Sequence, residues 1–331
     1  MRIGLLGAGR IGAFHAKTLA EHPDVDVLLI GDVEEARARA LADRLGSTAV
    51  APAAIATSEL DAVVIATTTA SHVELITSCL DHGVPTFCEK PVALGIEETS
   101  AVVNRAESSG AILQIGFQRR FDTGYREAKR LISAGELGTL YSLRLASHDP
   151  EPPHEEYIPT SGGIFRDLHI HDFDILLWLT GGRAEEVYAR GSVRGFEAFA
   201  RYDDVDTSAA LVTMADGVLA VLTGGRHDPR GYDIRTEVFG SGDSISVGLD
   251  THMPLRSVEP GVAFPEESGY PNFTVRFADA YRAELDVFLD VARGRTQNPC
   301  PPREALDALR LAVAADRSLA ERRPVLLSEV G

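Results

Sequence analysis

The sequence predicts an α/β chain of two domains: a doubly wound parallel sheet first, then an α+β domain whose sheet is mostly antiparallel. Three observations predict this. Short apolar runs alternate with longer helical patterns over residues 1–120. Between 185 and 248 the rhythm changes to strands separated by turn residues. The length of 331 residues also exceeds one domain of roughly 100 to 200.

In the first part the apolar runs are Ile3 to Leu6, Val25 to Ile30, Ala62 to Ala66, Thr86 to Cys88 and Ile112 to Ile115. Helical patterns over 10–21, 34–45, 72–82 and 97–109 lie between them. Strands separated by helices of this length read as βαβ units feeding a parallel sheet, and Gly83-Val84-Pro85 and Ser109-Gly110 supply the breaks. Beyond 120 the pattern predicts a helix over 122–134, a strand over 140–147, a Pro-rich loop over 149–159 and a helix over 164–179. Asp203-Asp204, Asp216-Gly217, Gly224-Gly225 and Gly240-Ser241-Gly242 punctuate the strands that follow, as in an antiparallel sheet. Residues 249–272 read as a long loop, 274–293 and 302–321 as helices, and Val325-Leu326-Leu327 as a short strand. The expected domains are 1–120 and 121–331, with the last residues candidates to return to the first domain.

Hydrophobic residues at 44% and charged residues at 24% give an ordinary globular composition with enough apolar surface for a large core. The formal net charge of −17 repels polyanions and anionic lipid. Nucleic acid and membrane are therefore not expected partners; a small molecule is. Cys79, Cys88 and Cys300 form neither a disulfide framework nor a zinc spacing. Met1-Arg2 leads directly into an apolar strand without a secretory pattern, and no apolar stretch approaches the roughly 18 to 20 residues that span a bilayer. The expected location is the cytoplasm.

Gly7-Ala8-Gly9-Arg10-Ile11-Gly12 follows the first strand and opens a helix. In such a turn the first glycine permits the tight bend, the second lets a pyrophosphate reach the backbone, and the third lets helix pack on strand. Free N–H groups and the positive end of the helix dipole supply a local anion site, with Arg10 a cation at its edge. Glycines in such a turn can be structural alone. Asp32, at the end of the next strand, stands where a carboxylate accepts the ribose hydroxyls of an adenosine, and together the two features point to dinucleotide binding. A carboxylate there repels a 2′-phosphate, and Val33 and Glu34 add no cation, so NAD is expected over NADP.

With Glu89-Lys90-Pro91 after a fourth strand, the chain resembles the glucose-fructose oxidoreductase / inositol dehydrogenase (Gfo/Idh/MocA) family along nearly its whole length. Residues 116–122 (GFQRRFD), 161–167 (SGGIFRD) and 171–174 (HDFD) agree with it. Residues 148–158 and 231–240 look most like the inositol 2-dehydrogenase branch. The resemblance implies a Rossmann domain followed by a domain whose large open sheet mediates oligomers, commonly tetramers, with dimers the smaller form. It places the nicotinamide between the domains, beside Lys90, Asp167 and His171. It also implies cofactor contacts from Gly7, Gly9, Arg10, Ile11, Gly12, Asp32, Thr67, Thr69, His72, Glu89 and Lys90. Substrate contacts would come from Lys90, Arg119, Asp149, Asp167, His171 and Tyr232. The chain departs from the family at Thr67-Thr68-Thr69, where Thr-Pro-Thr or Thr-Pro-Asn is usual, and at His148, where the branch commonly has arginine.

Oxidation of a secondary alcohol needs a base for the hydroxyl proton and a hydride acceptor at the carbon. Asp167 and His171 are four apart in a helical pattern, so both are expected on one face. The imidazole, with an ordinary pKa of about 6.5, suits proton abstraction near neutrality, and Asp167 would orient it. Lys90 would stabilise alkoxide character. Spacing alone equally suits a surface Asp–His pair, and Lys90 could be a solvated strand-end lysine; the family blocks favour catalysis. His169 and His171 point to different helix faces and lack a third ligand at suitable spacing, so no metal is expected. Of Arg119 and Arg120, at least one is expected to be a plain surface charge, and Arg119 is the better substrate or cofactor contact. Asp149 and Tyr232 could contact substrate hydroxyls or serve a turn and the core. His72 could cap a helix or face the cofactor, and Trp178 reads as core. The expected function is NAD-dependent oxidation of a ring hydroxyl of an inositol to the ketone. The alternatives are a dehydrogenase of another sugar, such as a pyranose, an amino sugar or a nucleotide-linked sugar, and a dinucleotide-sensing regulator without turnover.

Overall fold

Parallel pairing of consecutive apolar runs needs a crossover between each pair, and the amphipathic helices supply it. In the computed structural model, which describes residues 1–57, 59–263, 265 and 268–331, the chain divides into two compact units. One comprises Met1–Gln118 and Asp279–Leu306, the other Arg119–Ala278 and Asp307–Gly331.

The first unit runs β1 (Arg2–Leu6), α1 (Arg10–Glu21), β2 (Val27–Gly31), α2 (Glu35–Leu45), β3 (Thr48–Ala49), α3 (Pro52–Thr57) and β4 (Ala62–Ile65). It continues with α4 (His72–Asp81), β5 (Thr86–Glu89), α5 (Ile96–Ser109) and β6 (Leu113–Gly116). The six strands form one parallel sheet in the order β3-β2-β1-β4-β5-β6. The short β3 and α3 escape the sequence reading because two residues of strand and six of helix are below any usable period. Leu6 pairs with both Gly31 and Ile65, so β1, β2 and β4 end together. That carboxyl edge, beside the order reversal at β1, is where such sheets bind ligands. Ile3, Leu5, Leu28, Ile30, Val64 and Phe87 pack with Leu19, Leu41 and the returning Leu285 and Phe288.

Residues 279–306 join this unit, which the sequence reading did not foresee. The cause is the edge strand β6, whose backbone would otherwise lack partners. Asn298 Nδ2 donates to the Leu113 carbonyl (2.7 Å) and Ile115 N to the Cys300 carbonyl (3.0 Å).

The second unit opens with α6 (Thr123–Ser133), whose first turn is capped by Asp122 through Gly124 N (3.0 Å). β7 (Leu140–His148) follows, then α7 (Ile158–Ser161), α8 (Ile164–Asp167), α9 (Ile170–Thr180), β8 (Ala184–Ser192), α10 (Ala198–Arg201), β9 (Thr207–Met214) and β10 (Leu219–Gly225). Next come β11 (Asp233–Gly240), β12 (Ser244–Val247) and α11 (Phe273–Arg276). The chain closes with α12 (Ala278–Ala292), α13 (Pro302–Glu321) and β13 (Val325–Leu326). Seven strands pair in the order β12-β11-β7-β10-β9-β8-β13, with β7 and β10 parallel and every other pair antiparallel.

Two expectations are corrected. The last residues do not return to the first unit: Val325 pairs with Val187 and is buried, so β13 covers the edge of β8. The expected helix over 164–179 is two helices. The amides of Leu168 and His169 both reach back to the Ile164 carbonyl (3.0 Å each), so the ladder slips by one residue at their junction. Of the expected loop over 249–272, the described part holds no helix or strand, and residues 264, 266 and 267 lie outside the described residues.

Candidate functional site

Two glycines of the turn after β1, Gly7 and Gly12, have no room for a side chain. Gly7 has φ +97°, and a Cβ there would sit 2.5 Å from the Ala66 carbonyl oxygen. A Cβ on Gly12 would overlap the Gly7 carbonyl oxygen, whereas one on Gly9 would meet nothing. The backbone at Gly9 is thus open to a close-approaching group. Gly9 is also the N-cap of α1, and no side chain caps that helix start. Its first amides and dipole face that opening as an anion site.

Asp32 follows β2 directly. Its Oδ2 accepts from Ala8 N (2.7 Å) and its Oδ1 from Glu34 N (2.8 Å), which fixes the carboxylate beside the glycine turn. Each carboxylate oxygen has a further lone pair for a ribose hydroxyl. These residues fit a dinucleotide. Val33 and Glu34 bring no cation, but one stands near from further along: α2 places Arg37 Nη1 within 3.6 Å of Asp32 Oδ2, while Arg37 also pairs with Glu34. Helical wrap, invisible to a scan of immediate neighbours, places it there.

Lys90 follows β5, whose Cys88 pairs with Ile65 and whose Glu89 pairs with Gly116, so it lies at the same carboxyl edge as Asp32. Glu89 accepts from His15 Nε2 at 2.6 Å inside the unit. Thr67 Oγ1 accepts from Ser71 Oγ at 2.7 Å, just ahead of the short turn that includes Thr69. His72 is corrected: it is buried, with Nδ1 2.8 Å from the Pro91 carbonyl oxygen and Nε2 3.2 Å from that of Thr67. Burial holds its pKa below the ordinary value even against these two acceptors. The ring ties the loop after β4 to the one after β5 and does not cap α4, whose N-cap is Ser71.

In the second unit Asp167 ends α8. Its Oδ1 accepts from the Tyr157 hydroxyl (2.9 Å) and its Oδ2 pairs with Arg226 Nη1 (2.9 Å). The same Nη1 donates to Asp149 Oδ2 at 3.3 Å. Burial works against the Arg226 guanidinium, but Asp167, Asp149 and Asp204 outweigh it and hold its pKa above the usual value. Asp204 caps α8 through Ile164 N (3.0 Å), and burial pushes its carboxyl up. His171 is the second residue of α9, beyond the slipped junction, so the fourfold spacing to Asp167 is not one of a continuous helix. Tyr157, Asp204 and Arg226 were missed. No local pattern marks them; the one available sign was an arginine directly after Gly224-Gly225.

Arg119 and Arg120 are both buried, which corrects the expectation that at least one is a surface charge. Arg119 Nη1 donates to Asp172 Oδ1 at 2.5 Å, and Nη2 to Ser147 Oγ at 3.2 Å. Asp172 also accepts from Ser147 Oγ (2.7 Å) and sits 2.8 Å from His169 Nδ1, whose Nε2 is 2.8 Å from Ser208 Oγ. Arg120 pairs with Asp174 through two bonds of 2.9 and 2.5 Å. The Arg119 guanidinium is thereby tied to the interior through both of its terminal nitrogens. Tyr232 is buried too, its ring edge-on to Phe277, and burial pushes its phenol well above the ordinary value.

Burial alone would raise the Asp172 carboxyl; Arg119 and then His169 and Ser147 overcome that, so its folded pKa lies below the unfolded one. The network therefore stabilises the fold above the unfolded carboxylate pKa of about 3.9, and that contribution is lost as pH falls through the lower folded value. Asp172→Ala leaves the buried Arg119 guanidinium without its carboxylate and should cost about 3–5 kcal/mol, read as a lower urea midpoint of the second unit.

Residues 1–117 match the family described as "Oxidoreductase family, NAD-binding Rossmann fold", and residues 125–246 match the "GFO/IDH/MocA C-terminal domain". The chain belongs to the Gfo/Idh/MocA family of oxidoreductases. It is 39% identical over 325 residues to the myo-inositol dehydrogenase Hyg17 of Streptomyces leeuwenhoekii, covering 96% of this chain and 97% of that one. It is 35% identical to the myo-inositol 2-dehydrogenase of Thermotoga maritima over 100% of this chain and 99% of that one. The crystal structure of scyllo-inositol dehydrogenase from Lactobacillus casei with NAD(H) and scyllo-inositol superposes with a TM-score of 0.90 at 28% identity, covering 99% of each chain. Within the Gfo/Idh/MocA family this chain's own variations are now visible in structure. The Thr67-Thr68-Thr69 loop is held by the Ser71 hydroxyl, and His148 Nδ1 lies 3.8 Å from Asp233 Oδ2.

Proposed function

We propose that this protein oxidises a ring secondary hydroxyl of an inositol to the ketone, with NAD as the oxidant. The full-length likeness to an inositol dehydrogenase holding NAD(H) and scyllo-inositol carries the reading, and the glycine cradle with Asp32 supports the choice of oxidant. NAD, when bound, accepts the hydride. The rest is done by side chains. Lys90 holds the hydroxyl oxygen and stabilises its negative charge as the C–H bond breaks. His171 takes the hydroxyl proton, and Asp167, held in place by Arg226 and Tyr157, stabilises the resulting imidazolium. Incubation with inositol isomers, pyranoses and amino sugars, each with NAD and NADP, tests the assignment by the appearance of reduced cofactor. Turnover of inositols with NAD supports it. Turnover confined to another sugar makes the protein that sugar's dehydrogenase, and tight NAD binding with no turnover on the panel makes it a sensor.

We further propose that a second copy of the chain covers the open face of the seven-stranded sheet, giving a tetramer or a dimer. Alternate residues of β9 and β10 are exposed, and register sets Tyr188, Leu211 and Val221 side by side across three strands, with Leu219 beside them. A contiguous apolar patch on a sheet face marks an interface. Val221→Glu should shift the mass in light scattering to that of the monomer; an unchanged oligomer would move the interface elsewhere. The buried thiols of Cys79, Cys88 and Cys300 suit a reducing cytoplasm, which we propose as its location.

A further inference from the structure

The second unit contains a charge arrangement that stability alone would not build. Arg226 is nine-tenths and more buried, yet among the described residues its Nε and Nη2 find no hydrogen-bond partner, and its Nη1 serves both Asp167 and Asp149. Asp204 adds a third carboxylate to its surroundings. Replacing a buried ion cluster by apolar side chains is often neutral or stabilising, so an under-satisfied buried cation is weak as a stabilising device. Its geometry is better suited to holding carboxylates in place. The guanidinium side chain is 3% exposed, while those of Asp149 and Asp167 are 22% and 14% exposed, so the cation lies behind and the anions lie in front.

The backbone fixes the same pair from three directions. Asp149 N donates to the Gly225 carbonyl (2.9 Å), and Asp228 N donates to the Asp149 carbonyl (2.7 Å), which locks Asp149 to the end of β10 beside Arg226. Arg226 N donates to the Asp206 carbonyl (2.8 Å). Asp167 is fixed by the Tyr157 hydroxyl and by the capped helix that it ends. Each carboxylate has lone pairs beyond those used by Arg226.

We propose that Arg226 is a positioning residue, which holds Asp167 as the anion that supports His171 at the reacting carbon and presents Asp149 as a fixed anionic acceptor for the hydroxyl on the neighbouring carbon of the substrate ring. This deepens the function proposed above and rests on it. Asp167 serves the reacting carbon and Asp149 its neighbour, so the enzyme prefers rings bearing adjacent hydroxyls. It disfavours substrates carrying a carboxylate or phosphate at the neighbouring carbon, which two fixed anions repel. Arg226 touches neither substrate nor cofactor; it acts through the two carboxylates.

The test compares an inositol that turns over with its analogue lacking the hydroxyl next to the reacting carbon. The wild-type enzyme should prefer the inositol by at least about tenfold in kcat/KM, since a site built to bind a hydroxyl is left unpaired by its absence. In Arg226→Gln the KM for the inositol should rise more than kcat falls, and the preference should shrink to within about twofold. Arg226→Lys keeps a cation behind the pair and should recover part of the preference. Asp149→Ala removes the acceptor, leaves Arg226 in place and should lose the preference by itself, which keeps the test valid if Arg226→Gln fails to fold. Unchanged discrimination in Asp149→Ala, or in a folded Arg226→Gln, overturns the inference while the function stands. A wild-type protein that binds NAD but turns over no cyclic polyol overturns both.

Discussion

Lys90→Ala and His171→Ala should each lower kcat on an inositol by about 10²- to 10⁴-fold, the range expected when one proton-transfer or charge-stabilising group is removed. NAD should still bind in both, because the glycine turn and Asp32, which are left intact, hold its pyrophosphate and ribose. The two losses should differ in kind. If His171 accepts the hydroxyl proton, the acidic limb of the kcat/KM profile belongs to an imidazole that must be neutral to act, and His171→Ala should abolish that limb. Lys90→Ala should leave the limb in place and depress the whole profile, and Lys90→Arg should recover part of the rate by restoring a cation. Stopped-flow measurement of NADH formation gives the rate, and fluorescence titration gives NAD affinity. Full activity in both variants would remove Lys90 and His171 from the reaction.

The parts of this protein legible from sequence are those whose physics is local. Strand ends, glycine turns and amphipathic helices are written within a few residues, so the parallel sheet of the first unit, five of its six strands and the position of Asp32 after β2 could be reasoned from periodicity and spacing. The same holds for the mostly antiparallel second sheet, whose turn residues recur between its strands.

What could not be read depends on pairing across long stretches of chain. Arg119 and Arg120 read as a pair with at least one surface charge until Asp172 and Asp174, far along the chain, accept from them in the interior. The slip at Leu168–His169 turns on one amide choosing a carbonyl five residues back, a choice that the apolar stripe of 164–179 conceals. Residues 279–306 follow the free edge of β6, and nothing in their own helical pattern names that destination. Arg226 gains its meaning only when the ends of β7 and β10 lie side by side and the carboxylates of Asp149 and Asp167 meet on one nitrogen.

Asp32→Ser should weaken NAD and relax the discrimination against NADP, and Arg37 sets the size of the second effect. A hydrogen bond to a charged group contributes about 1.5–3 kcal/mol, so losing carboxylate contacts to the ribose should weaken NAD by about tenfold to several hundredfold. NADP gains for a separate reason: its 2′-phosphate no longer meets an anion, and Arg37, 3.6 Å from Asp32 in the wild-type protein, becomes available as its partner. The variant should therefore move toward equal use of the two cofactors rather than simply lose both. Because the Asp32 carboxylate also accepts from Ala8 N and Glu34 N, Asp32→Asn serves as the control that keeps an acceptor of the same shape while removing the charge. Adding Arg37→Ala to Asp32→Ser should abolish the gain for NADP and leave NAD affinity where the single variant put it. Initial rates with each cofactor across a concentration series measure all four values. An unaltered NAD to NADP ratio in Asp32→Ser would show that the carboxylate does not read the ribose, and equal NADP use with and without Arg37 would assign the gain to lost repulsion alone.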